Sequence, residues 1–174
     1  HYINLELALG EIERCRTIYT NFLKAMPHNG KAWVQYASLE SSVGETDRAR
    51  SILELGVSQT ELDRPEDVWK AYIDFEIAEN EPDKVRKLYD RLLEKTGHVK
   101  VWISYAQFEA TQSLDKMRKT MESAYKLLKA NGAKEDRVLL LDAWRVLEKE
   151  HGDTDSVGMV EAKLPRRIKR KRVT

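Results

Sequence analysis

The sequence predicts an all-α fold, a right-handed α-solenoid of antiparallel helix pairs, and three observations predict it. The pattern Trp-x-x-Tyr-x-x-Phe/Leu-Glu recurs at Trp33/Tyr36/Glu40, Trp69/Tyr72/Glu76 and Trp102/Tyr105/Glu109. An arginine follows each tryptophan by 17, 17 and 16 residues, at Arg50, Arg86 and Arg118. Gly, Pro, Asn and Asp punctuate the intervals. The tryptophans are 36 and 33 residues apart, the length of a two-helix unit. Such units stack because each is too thin to bury its apolar face alone.

Within a unit, Trp, Tyr and Phe or Leu at offsets of three and six trace one face of a helix, here helix A. The arginine opens a second amphipathic segment, helix B: Arg16/Tyr19/Leu23, Arg50/Leu53/Val57, Arg86/Tyr89/Leu93 and Arg118/Met121/Tyr125. In chain order, Tyr2-Ile-Asn-Leu5-Glu6 reads as a first helix A whose leading Trp would precede residue 1, so the first repeat is expected to be truncated. The second helix A should end near Val43-Gly44, with Thr46 capping the helix that holds Arg50. Asp63-Arg64-Pro65-Glu66 reads as an acidic capping-box variant with Pro in the first turn. Pro82 should open the helix of Arg86, Gly97 close it, and Ser113 cap the helix of Arg118. Loops this short force antiparallel pairs. After Asn131-Gly132, a long A-type helix through Leu139, Trp144 and Leu147 shows no Phe or Leu and Glu in the register set by Trp144. A shorter closing helix is expected around Ser156–Lys163. About four and a half repeats thus fill residues 1–163, leaving 164–174 as a disordered basic tail.

The formal net charge of +1 hides an asymmetry. Residues 163–174 carry seven Lys or Arg and no acid, so the body has 23 basic against 29 acidic side chains, a net of −6. One cysteine excludes an internal disulfide framework. No apolar run approaches the roughly 18 residues of a membrane span, and the N-terminus does not read as a signal peptide.

Four residue types invite a chemical reading. Glu40, Glu76 and Glu109 sit seven positions after their Trp, only about 20° away on the helical wheel, so each carboxylate projects near the apolar stripe and needs a partner. The inward Arg of helix B, a Tyr hydroxyl or backbone amides can supply it, within a repeat or between repeats. Catalysis has no use for the same acid repeated along a rod. Trp33, Trp69, Trp102 and Trp144 could stack on single-stranded RNA, but their helical register places them in the core. Cys15 holds the place of Ala49, Val85 and Met117 and reads as a packed small residue. His1, His28, His98 and His151 lack metal-ligand spacing. No phosphate loop or nucleophile motif occurs, so no catalytic, cofactor-binding or metal site is expected.

The recurring Trp-x-x-Tyr-x-x-Phe/Leu-Glu followed by an Arg helix resembles the half-a-tetratricopeptide (HAT) repeat over residues 1–151. Within it, Asp63–Glu76, His98–Glu109 and the ending Leu164–Arg172 are most similar to the C-terminal repeats of the Crooked neck family of pre-mRNA-splicing factors. The resemblance implies a TPR-like scaffold for protein–protein interaction in the nucleus, in the NineTeen complex of the spliceosome, with other splicing proteins as partners. A HAT scaffold of mRNA 3′-end processing would share the fold. The tail residues Arg166, Arg167, Lys169, Arg170, Lys171 and Arg172 suit a nuclear-import signal or a nucleic-acid contact, since both depend on local charge density. A direct RNA-binding module would act through this tail, given the acidic body. The open first repeat leaves a face through which the chain could self-associate.

Overall fold

The computed structural model describes residues 2–165, with side chains from Ala8 onward. Among these are nine α-helices and no strand: α1 Tyr2–Ala25, α2 Gly30–Ser42, α3 Thr46–Val57, α4 Pro65–Ala78, α5 Pro82–Lys95, α6 Val99–Gln112, α7 Leu114–Ala130, α8 Lys134–His151 and α9 Thr154–Glu161. The chain divides into two compact units, His1–Leu88 and Tyr89–Thr174. In the first, α2 pairs with α3, α4 packs on both, and α1 lies against α2. In the second, α6 pairs with α7, α8 packs on both, and α9 lies against α8. The core of the second unit gathers Met117, Met121, Ala124, Leu140, Leu141, Trp144 and Val160.

The same turn joins three of the helix pairs. Gly44, Asn80 and Gly132 each adopt a left-handed conformation, with φ of 82°, 55° and 69°. In each the following amide reaches back five residues: Glu45 N–H to the Glu40 carbonyl, Glu81 to Glu76 and Ala133 to Leu128, at 2.9, 3.0 and 3.1 Å. This 6→1 bond closes a Schellman motif. It satisfies a carbonyl that the helix end would otherwise leave bare.

Several expectations are corrected. Residues 2–25 form one continuous helix, so the first repeat has no separate helix A. Gly10 is the only helix-weakening Gly or Pro in that stretch, and a glycine costs about 1 kcal/mol relative to Ala, too little to break a helix of this length. Cys15 is exposed, whereas Ala49, Val85 and Met117 are fully buried. Thr46 is the first residue of α3 and Glu45 its N-cap, without a side-chain cap. Ser113 stands at the N-cap of α7 but makes no side-chain capping bond. Asp63 does not cap α4. Its Oδ1 accepts from the Gly30 N–H at 2.9 Å, capping α2 from 33 residues away, while its own N–H donates to the His28 carbonyl. The bond from the Gly30 N–H holds the Asp63 carboxyl below its usual range. The closing helix begins at Thr154, where Asp153 and Ser156 form a reciprocal capping box.

Candidate functional site

The same construction recurs at three described places along the chain. The arginine of a B helix reaches the glutamate of the next A helix and grips both carboxylate oxygens. Arg16 Nε and Nη2 donate to Glu40 at 2.6 and 2.9 Å. Arg50 does the same to Glu76 at 2.6 and 3.5 Å, and Arg118 to Glu148 at 2.8 and 2.9 Å. The contact therefore runs between repeats. Glu40, Glu76, Glu109 and Glu148 are the buried charged residues of the described core, and the most exposed of them, Glu109, is at 2%.

A second acid brackets the guanidinium from its own helix. Nη1 donates to Glu13 from Arg16, to Asp47 from Arg50 and to Asp83 from Arg86, at 2.7, 3.2 and 2.9 Å. Asp115 stands in the same place before Arg118 and acts on it through its charge. This acid, three residues before each arginine, was missed in the sequence reading although its spacing is plain there.

The electrostatics follow from these contacts. Arg16, Arg50 and Arg118 are each pushed up, first by their hydrogen bonds to Glu40, Glu76 and Glu148. Glu148 is held below the ordinary carboxylate range, chiefly by Arg118. Glu148, gripped at both oxygens by a permanently charged guanidinium, has little basicity left for general acid–base work. The arrangement acts as a fastener. Its geometry fixes one helix against the next, and an unmatched register would strand a buried charge.

The aromatic residues take supporting positions. Trp33 is buried and its indole donates to the Pro27 carbonyl at 2.9 Å. Its ring lies against Gly56, where an added Cβ would come within 3.2 Å of it. Tyr36 stacks on Tyr19 with centroids 5.3 Å apart, and Tyr72 donates to Glu54 at 2.9 Å. Trp69 is buried. Trp102 is half-buried, and Tyr105 stacks on Tyr89 at 4.7 Å. Burial of Trp33 and Trp69 leaves their faces unavailable for base stacking.

Trp144 corrects the reading of the last repeat. Leu141, Trp144, Leu147 and Glu148 stand at the offsets of Trp33, Tyr36, Leu39 and Glu40, so Trp144 occupies the tyrosine position and Leu141 the tryptophan position. Both are buried, while Leu139 is exposed. The Trp144 indole donates to Glu148 Oε1 at 3.1 Å. Taking Trp144 as the repeat's leading residue shifted the frame by three and hid Glu148.

No cluster of three or more potential metal ligands occurs among the described residues, and no helix there is long and apolar enough to cross a membrane. The basic residues Arg166, Arg167, Lys169, Arg170, Lys171 and Arg172 lie outside the described residues, as does His1.

Paired helices fastened repeat to repeat by buried ion pairs define a helical-repeat protein. The chain belongs to the HAT-repeat family: the model of the PRP39 N-terminal HAT repeat matches residues 2–135. Over 98% of its length it is similar to the pre-mRNA-splicing factor clf1 of Aspergillus fumigatus, at 44% identity, and to Crooked neck-like protein 1 of Homo sapiens, at 46%. It spans 28% and 21% of the length of these relatives.

Proposed function

We propose that the chain is a non-catalytic scaffold segment of the pre-mRNA splicing machinery, working in the nucleus and holding splicing proteins together within the NineTeen complex. One observation carries the reading: similarity to splicing factors across 98% of the chain. The site chemistry is consistent with it, because the buried charges of the three described clasps are committed to fastening repeats. That leaves solvent-facing positions for partners, as in other stacked-helix arrays. The repeat signatures at Trp33, Trp69 and Trp102, with their paired Tyr, Glu and Arg, are then architectural. The tail from residue 164 supplies nuclear import.

The test is affinity capture from nuclear extract with the 174-residue chain and with a version lacking residues 165–174, proteins being identified by mass spectrometry. Splicing proteins recovered by both versions support the scaffold reading. Recovery of cleavage and 3′-end-processing proteins instead would transfer the scaffold to that machinery. A second reading, RNA contact through the tail, draws on its six basic residues beside an acidic body. It predicts RNA affinity that disappears with the tail and falls steeply with salt.

A further inference from the structure

A cation of the chain's own sits in an aromatic enclosure of the second unit. Lys163 Nζ lies 4.5 Å from the Trp144 ring centroid and 5.1 Å from that of Tyr125. It donates to Glu122 Oε2 at 2.9 Å. Two rings contributed by α7 and α8, with a carboxylate from α7, therefore converge on one ammonium group. That combination recognises alkylammonium ions, the ring faces supplying negative potential and the carboxylate a full charge.

The enclosure opens into a cavity of about 520 Å³ lined by Arg118, Lys119, Glu122, Glu148, Asp153, Asp155 and Lys163 among others. Arg118 and Glu148 neutralise each other. With Lys163 turned out, Lys119 alone would face Glu122, Asp153 and Asp155, leaving a site of net negative charge. Lys163 stands outside the helices. It lies beyond the last residue of α9, its side chain is 30% exposed, and Val160 and Leu164 keep the segment seated on the core without it.

We propose that Trp144, Tyr125 and Glu122 form an ammonium-binding cage, held in cis by Lys163, that takes the lysine side chain of a basic partner segment when Lys163 rotates out. The acidic rim at Asp153 and Asp155 selects a segment with further positive charge. Lys163 acts as an internal competitor, so an incoming lysine is bound only when it is presented at high local concentration.

The probe is Nα-acetyl-lysine methylamide, with its neutral Nζ-acetylated counterpart as control. The readout is the indole N–H resonance of Trp144, which reports on the cage directly. Lys163→Gln keeps most of the stem and removes the charge. It should bind the charged probe at least about tenfold more tightly than the parent chain, because the competitor is gone. The neutral probe should give no saturable shift with either protein. Adding Glu122→Gln to Lys163→Gln should abolish the gain. In the parent chain, saturating charged probe should move the Trp144 resonance toward its position in the probe-bound Lys163→Gln variant. Equal affinity in parent and variant, equal response to the neutral probe, or an unmoved Trp144 resonance in the parent overturns the proposal. The assay contains no splicing component, so its outcome is separate from that of the scaffold reading.

Discussion

The two units use the same clasp and support it differently. In the first, Arg50 meets Glu76 with the aromatic at the tyrosine position turned elsewhere: Tyr72 gives its hydroxyl to Glu54. In the second, Trp144 at that position turns its N–H onto the clasp itself, and Glu148 accepts from both Arg118 and Trp144. Glu40 shows a third arrangement, with Arg48 coming within 3.5 Å of its second oxygen. The buried carboxylate and its guanidinium are the shared requirement. The remaining donors vary, and they decide how much each clasp depends on its arginine.

Removing the arginine should expose that difference most strongly. Arg50→Leu leaves Glu76 buried with its guanidinium gone, and breaking such a pair costs about 3–5 kcal/mol. Arg118→Leu should cost less, about 2–3 kcal/mol, since Glu148 keeps a hydrogen bond from Trp144 to its charge. Arg16→Leu should be the mildest, because Arg48 can close on Glu40. Denaturant unfolding of the three variants checks the order. If Arg118→Leu proved the most damaging, the supporting role given to Trp144 would be wrong.

Acid should sharpen the comparison next. Glu148 has a folded-state pKa below its ordinary 4.5, chiefly through Arg118. A depressed carboxylate contributes stability that is fully present above the ordinary value and is lost as pH falls through the depressed one. The midpoint of thermal unfolding should therefore drop as pH is lowered from about 5 toward 2. Glu148→Gln should start lower and lose less over the same window, so that the two curves converge in acid. Parallel curves would show that some other carboxylate sets the acid response.

Gly152 gives a smaller effect confined to the second unit. A Cβ there would overlap the Glu148 carboxylate and lie 2.7 Å from Ser156 Oγ. Gly152→Ala should cost about 1–3 kcal/mol, the range for forcing atoms into a packed site, measured by the same denaturant unfolding.

Much of this was legible in the sequence, and the exceptions share a cause. Helix A and helix B, their order and their inward Glu and Arg follow from periodicity. Periodicity does not say whether Arg50 meets Glu40 of its own repeat or Glu76 of the next, because both glutamates occupy the same place on their A helices. Glu148 was hidden by a frame error: the large side chain of Trp144 suggested the leading position, although Leu141, Trp144, Leu147 and Glu148 fit the pattern. Asp63 capping Gly30 and Lys163 reaching Glu122 span 33 and 41 residues. No local spacing marks such contacts, since they depend on where the packed helices bring distant turns. Cys15 was misread because its counterparts Ala49, Val85 and Met117 are covered by neighbouring helices, and sequence position alone does not supply the cover.

The turns offer the finest comparison, since Gly44 and Asn80 do the same work with different residues. Both lie in the left-handed region, at φ 82° and 55°, and an added Cβ at Gly44 meets nothing within 4 Å. Space is therefore not the issue at Gly44; backbone conformation is. Gly44→Ala should cost about 1–2 kcal/mol, the left-handed penalty of an ordinary L residue. Gly44→Asn should cost less, because asparagine enters this region more readily. Asn80→Gly should change stability by less than about 1 kcal/mol, relief of residual strain being offset by the larger entropy glycine gives the unfolded chain. Thermal unfolding of the three variants under one condition checks the ranking. A loss at Gly44→Asn equal to that of Gly44→Ala would mean that the two turns are not equivalent, and that Asn80 is held by something its own repeat supplies.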